Sequence, residues 1–216
     1  MKTYIIDIET APLPQNQIEA FQPEFKADTR LKDPIKIAED IKNKKEKFIA
    51  NAALNPLTSY ICALGVWETS QKEPELYISN SEKNIIEAFL ELIKEENLTR
   101  TRIVTFNGMN FDIPFLCRRG LLYGHDIFPT FYRIDGCFKI LDKAPVFIDL
   151  AAIWDCRRKD YISLNDLAIY MGVGKKNKNE DLFYQLLEKN KDVAKDYLIN
   201  DLKLTKDIAE KWGLIK

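Results

Sequence analysis

The stretch Thr3-Tyr4-Ile5-Ile6-Asp7-Ile8-Glu9-Thr10 decides the reading of this chain. It is rich in β-branched and aromatic residues, which predicts a strand over Thr3 to Ile8. Side chains alternate between faces along a strand, so Tyr4, Ile6 and Ile8 share one face and Ile5, Asp7 and Glu9 the other. The two acids follow an apolar run, which puts them at the carboxyl end of a central strand, where sites form in open α/β sheets. Like charges side by side on a core strand cost free energy unless something positive compensates, and a divalent cation is the simplest compensation. An exposed edge strand with a solvated acidic face is the alternative for this pair alone.

Two further segments carry acids toward the same place. Arg102 to Phe106 reads as a strand, followed by an Asn107-Gly108 turn and a short helix from about Asn110 to Arg119, stopped by Gly120. Strand, tight turn and an acid in the first helical turn place Asp112 at the same sheet end as Asp7. Helix N-terminal electrostatics favour an acid there for their own reasons. Near the end of the chain, Tyr197 and Asp201 stand four apart on a helix read over Asp192 to Trp212 and ended by Gly213, hence on one face. A surface pair with a half-buried tyrosine is the plainer alternative.

The rest of the chain frames these segments. A connection from Thr10 to about Leu57 contains Pro12 and Pro14, which break regular structure, and Asp33-Pro34, an N-cap followed by a helix-starting proline. Ile37, Ile41, Phe48 and Ile49 give that helix a rough apolar stripe beside a lysine-rich face. A connection of this length is an insertion, and such insertions are often functional covers. Strands follow at Ser59 to Thr69, Glu75 to Ser79 and Val146 to Leu150. Helices are read after the Ser81 cap with a stripe of Ile85, Ile86, Phe89, Leu90 and Ile93, from Ser163 to near Gly172, and over Asp181 to Glu188. Strands and helices alternate and then helices accumulate, which predicts an α/β chain with a central mixed sheet flanked by helices and a long helical insertion after the first strand.

Composition narrows the chemistry. The chain has 216 residues, 32 basic and 33 acidic, for a net charge of −1. That argues against nucleic-acid binding through an overall basic field, though not against holding phosphates through metal ions. The single histidine, His125, expected in an exposed loop, removes two-histidine zinc sites, and no nucleophile elbow accompanies it. The chemistry therefore runs on carboxylates, Tyr or Lys. Cys62, Cys117, Cys137 and Cys156 form no CxxC motif and read as reduced, mostly buried thiols. No stretch approaches about 18 apolar residues and the start reads as neither signal nor transit peptide, so a cytoplasmic protein with no membrane partner is expected. Lysines 42, 44, 45 and 47, the group Arg157, Arg158 and Lys159, and the group Lys175, Lys176 and Lys178 are basic clusters. Each reads as a solvated face or as a track for a phosphate backbone.

Taken together and in order, Asp-x-Glu, Asn-x-x-x-Phe-Asp and Tyr-x-x-x-Asp resemble the DEDD superfamily of 3′–5′ exonucleases, and Tyr197 resembles its tyrosine-type subgroup. YIIDIET, TFNGMNFDIPFL and DYLINDLKLT look most like stand-alone relatives of the proofreading domain of family B DNA polymerases. The resemblance covers Thr3 to Asp207 but not the insertion at about 15–54. It implies a single ribonuclease H-like domain over 1–216. In it, Asp7, Glu9, Asp112 and Asp201 hold two Mg²⁺ or Mn²⁺ ions, and Tyr197 orients the attacking water or helps remove its proton. It also implies that Thr10, Asn107 and Phe111 contact the terminal nucleotide. Asp149 is expected either to act behind these acids or simply to bond backbone at a strand end. The implied activity is metal-dependent removal of 5′-mononucleotides from the free 3′ end of single-stranded DNA or RNA. The alternatives are a proofreading or processing subunit that needs a polymerase or other replication protein, and a non-catalytic nucleic-acid-binding scaffold.

Overall fold

A computed structural model describes residues 2–94, 101–127, 146–156, 160–177 and 181–215. The chain divides into two compact units, Met1–Glu9 with Ile61–Lys216, and Thr10–Tyr60. The second contains the insertion expected at about 15–54.

In the first unit, β1 is Lys2–Pro12, β2 Ser59–Glu68, β3 Glu75–Ile78, β4 Thr101–Thr105 and β5 Val146–Asp149, the first two continuing into the other unit. They form one sheet in the order β3-β2-β1-β4-β5. β1, β4 and β5 are parallel and β3 is antiparallel to β2. The amide of Thr69 donates to the Thr3 carbonyl and the Cys62 thiol to that of Glu9, so β2 runs against β1. The expected mixed sheet is therefore present, in a ribonuclease H-like arrangement with β1 at its centre. β1 also runs past the expected end at Ile8. Pro12 closes it, a place where a missing N–H costs little.

The inserted unit holds α1 (Gln15–Ile18) and α2 (Pro34–Ala50). Asp33 caps α2 as expected, accepting from the Ile35 amide at 2.9 Å. Ile37, Ile41 and Phe48 are half-buried, with Phe48 meeting Phe25 edge-on at 5.8 Å. Ile49 departs from the expected stripe. One residue beyond Phe48 is about 100° around the helix, and Ile49 is exposed. Of the lysines there, Lys44 pairs with Asp40 and Lys42 lies 3.7 Å from Glu46.

Among the described residues, the first unit's helices are α3 (Glu82–Leu92), α4 (Asp112–Leu121), α5 (Leu150–Asp155), α6 (Leu164–Met171), α7 (Phe183–Lys189) and α8 (Lys191–Lys211). The core packs Ile6, Ile8, Ile61, Leu64 and Ile103 of the sheet against Ile85, Ile86 and Phe89 of α3 and Ile113, Phe115 and Leu116 of α4. Ser163 caps α6 and Gly172 ends it in the left-handed region, as expected.

Three further local expectations fail. Ser81 precedes α3 but makes no side-chain cap, because Glu82, the first helical residue, turns inward to Ile61 and Arg119. Gly120 lies inside α4 rather than ending it. A Cβ there would stand 2.8 Å from Ile127 Cδ1 and 3.1 Å from the His125 carbonyl, so the glycine serves a close chain approach. His125 itself is half-buried, its Nε2 without a partner, rather than exposed. Cys62 and Cys117 are buried free thiols and Cys156 is an exposed one. Cys137, Arg157, Arg158, Lys159 and Lys178 lie outside the described residues. Among the described residues no helix is long and apolar enough to cross a membrane.

Candidate active site

Three elements converge at the carboxyl end of β1. The strand pleat puts Asp7 and Glu9 on one face, both half-buried. α8 brings the buried Asp201, and the carboxylates of Asp7, Glu9 and Asp201 each offer an oxygen within 4.8 Å of the others. The approach of α8 depends on Gly65 of β2. A Cβ there would lie 2.6 Å from Leu202 Cδ1 and 3.1 Å from Leu198 Cγ, the residues flanking Asp201 on the helix.

Asp112 enters from the first turn of α4 and is buried. Its Oδ1 accepts from the amide of Ile8, between Asp7 and Glu9, at 2.9 Å. That bond puts Asp112 beside the stretch of β1 that carries Asp7 and Glu9, close enough for its charge to act on Asp7. The turn that delivers it is held by Asp149. Asp149 accepts from the amides of Asn107 and Met109, both at 2.8 Å, and caps α5 through Ala151 at 3.0 Å. Asp149 thus takes the backbone-bonding role. Asn107 adopts φ +62°, a region asparagine tolerates better than most residues, and its side chain accepts from Asn110.

Phe111 is half-buried against the core with its ring 5.3 Å from Phe115. Thr10 falls in the inserted unit. Its hydroxyl donates to the Ala53 carbonyl at 2.6 Å and is committed there. Tyr197 stands one turn before Asp201, tilted against Phe183 with centroids 6.2 Å apart.

The sequence reading missed one participant. Lys176, filed with a basic cluster, brings its Nζ to 2.5 Å from Asp201 Oδ2 and 3.0 Å from the Tyr197 hydroxyl. Its only signal was position, two residues after Gly174 in the connection between two helices. Among the described residues, this cation faces three clustered acids with Asp112 close by, and Asp201 Oδ1 is buried and has no hydrogen-bond partner.

The electrostatics follow. Burial, then the charges of Asp112, Glu9 and Asp201, push the Asp7 carboxyl well above its ordinary value. Burial and Asp201 push Glu9 up to about 8 against the pull of Lys176. Burial raises Asp112 to about 7 even though the Ile8 amide favours its charged form. Burial likewise raises Asp201 and Tyr197, each opposed by Lys176. For Lys176, burial works against the charge, but Asp201 and Tyr197 outweigh it and hold the ammonium charged. Buried acids this poorly compensated, offering only oxygens and one of them orphaned, fit a hard divalent cation.

The protein family described as DNA polymerase family B, exonuclease domain, matches residues 3–146. A DNA polymerase of Methanocaldococcus jannaschii is 30% identical over 135 residues, covering 58% of this chain and 8% of that protein. The family B DNA polymerase of Pyrobaculum calidifontis superimposes with a TM-score of 0.60 at 16% identity, over 98% of this chain and 24% of that one, a likeness of fold. The chain spans less than a tenth of the length of the M. jannaschii relative.

Proposed function

The chain belongs to the exonuclease-domain family of family B DNA polymerases, and on that premise we propose that it is a metal-dependent 3′–5′ exonuclease of the tyrosine type, a single catalytic domain hydrolysing single-stranded DNA or RNA from a free 3′ end to 5′-mononucleotides. The observation that carries this reading is the cluster of Asp7, Glu9 and Asp201 within 4.8 Å, with one buried oxygen of Asp201 unpartnered. Asp7, Glu9, Asp112 and Asp201 are the residues that would hold two Mg²⁺ or Mn²⁺ ions, which when bound supply Lewis acidity and charge neutralisation at the scissile phosphate.

The chain's own groups supply the rest. Tyr197 keeps its proton, since burial raises its phenol, so its part is to orient the attacking water through a hydrogen bond rather than to take a proton. Lys176 contributes a fixed positive charge beside Asp201, where a phosphate oxygen would arrive. Asn107 and the half-exposed ring of Phe111, at the turn delivering Asp112, line the place for the terminal nucleotide, with Phe111 stacking on its base.

The test is degradation of a 5′-labelled single-stranded DNA and the matching RNA in Mg²⁺, Mn²⁺ or EDTA, with Asp7→Ala beside the wild type. A metal-dependent ladder shortening from the 3′ end, absent in the variant, is expected, and it would also show which sugar is preferred. A second reading is that the same chemistry needs a polymerase or other replication protein. It draws on the inserted unit, which leaves Ile35, Leu54 and Leu57 exposed. Binding without degradation would favour it or the scaffold reading, and absence of binding would overturn the nucleic-acid assignment.

A further inference from the structure

Lys176 sits in a stretch, residues 174–177, with no regular structure, yet its ammonium is aimed at two groups of the site. Two asparagine side chains hold the backbone on which it stands. Asn165, in the first turn of α6, accepts from the Lys176 amide at 3.1 Å. Asn200, the residue before Asp201 on α8, accepts from the next amide, that of Asn177, at 3.0 Å. The same loop therefore donates two consecutive backbone N–H groups to two different helices, and from between them Lys176 reaches Asp201 and Tyr197. An ammonium 4.8 Å from the Tyr197 ring centroid is further restrained by that face. A long lysine side chain loses much rotamer entropy when fixed, so a single ion pair is a poor way to hold one. Pinning the backbone at its root lowers that cost.

We infer that Asn165 and Asn200 are positioning residues that latch the loop and so set where Lys176 stands. With the latch closed, the ammonium is the counter-ion of Asp201 and competes with a divalent cation for that carboxylate. The latch thereby tunes the cation affinity of the site from outside its ligand set. The cation part of this statement rests on the exonuclease reading above; the latch itself does not.

The test is a double-mutant cycle read by calorimetry with Mn²⁺ alone, and by melting in EDTA. Lys176→Met is expected to bind Mn²⁺ about tenfold more tightly than wild type, because a nearby positive charge is gone. Asn165→Ala and Asn200→Ala are each expected to tighten it by about two- to fivefold, and to add nothing once Lys176→Met is present. The same change in both backgrounds, or weaker Mn²⁺ binding in the asparagine variants, would overturn the latch. Should the wild type bind no Mn²⁺, the metal reading fails and the melting cycle decides. Asn200→Ala is then expected to lower the melting temperature in the wild-type background and hardly at all in Lys176→Met. An equal drop in both sinks the inference. Lys176→Gln takes the place of Lys176→Met if the latter does not fold.

Discussion

Glu82 and Asp201 are both buried carboxylates in the same unit, on α3 and α8, and their surroundings differ in one respect. Glu82 is matched on every side. Arg119 grips it through two nitrogens at 2.9 and 2.6 Å, the Tyr123 hydroxyl donates at 2.9 Å and the Ile61 amide at 2.7 Å. Among the described residues, Asp201 shares one lysine with Tyr197, has Asp7 and Glu9 for neighbours and leaves one oxygen without a hydrogen-bond partner. A buried acid that ties elements together is satisfied by the protein itself. A set of acids left short of positive charge and donors among the described residues is what the proposed cation site would require.

Substitutions can break this comparison or sharpen it. The largest effect is expected for Asp7→Ala, which should reduce metal-dependent degradation by about a thousandfold or more. It should not lower the melting temperature in EDTA, since it relieves crowding among acids. A variant that melts well below wild type in EDTA would mean that Asp7 serves the fold as Glu82 does. Arg119→Met should do the reverse. Stranding Glu82 as a buried charge costs about 3–5 kcal/mol, seen as an earlier denaturation midpoint, while activity per folded molecule stays close to wild type.

pH separates the two regions further. The folded protein holds protons on Glu9 and Asp112 at about 8 and about 7 respectively, which the unfolded chain releases in the ordinary carboxylate range. Their contribution to stability is therefore full at acid pH and is lost as pH rises toward those values. In EDTA the melting temperature should fall between about pH 5 and about pH 8.5. Asp112→Asn keeps an acceptor for the Ile8 amide but cannot ionise. It should melt several degrees above wild type at the upper end and close to it at the lower. A variant that melts lower at alkaline pH would count against the crowded site. The smallest effect is expected for Gly65→Ala. Its methyl group meets Leu202 and Leu198 and should cost about 1–3 kcal/mol. Because the strain falls beside Asp201, activity should drop by more than the loss of folded protein explains.

How far the sequence reached differs between these same regions. Asp7, Glu9 and Asp112 were legible because each sits in a local pattern, an apolar strand ending in acids or a strand-turn-helix with an acid in its first turn. Tyr197 and Asp201 were legible as a helical pair four apart. Asp149 could be read two ways until the amides of Asn107 and Met109 were seen on its oxygens. Ser81 and Gly120 were misread because local rules assign a serine before a helix to capping and a glycine to helix ends. Here a partner distant in the chain decided otherwise, Arg119 for Glu82 and the 125–127 segment for Gly120.

By itself, then, the sequence determined the sheet with its flanking helices, the acids at the end of β1, and the family resemblance, because strand pleat, helix period and turn chemistry act between near neighbours. Tertiary structure alone decided that Lys176 would answer Asp201, that Gly65 would let α8 close on β2, and that Thr10 would spend its hydroxyl on Ala53. Those outcomes depend on which atoms meet across sequence separations from 25, Lys176 to Asp201, up to 137, Gly65 to Leu202. Contact at such separations is fixed by packing, which no local period encodes.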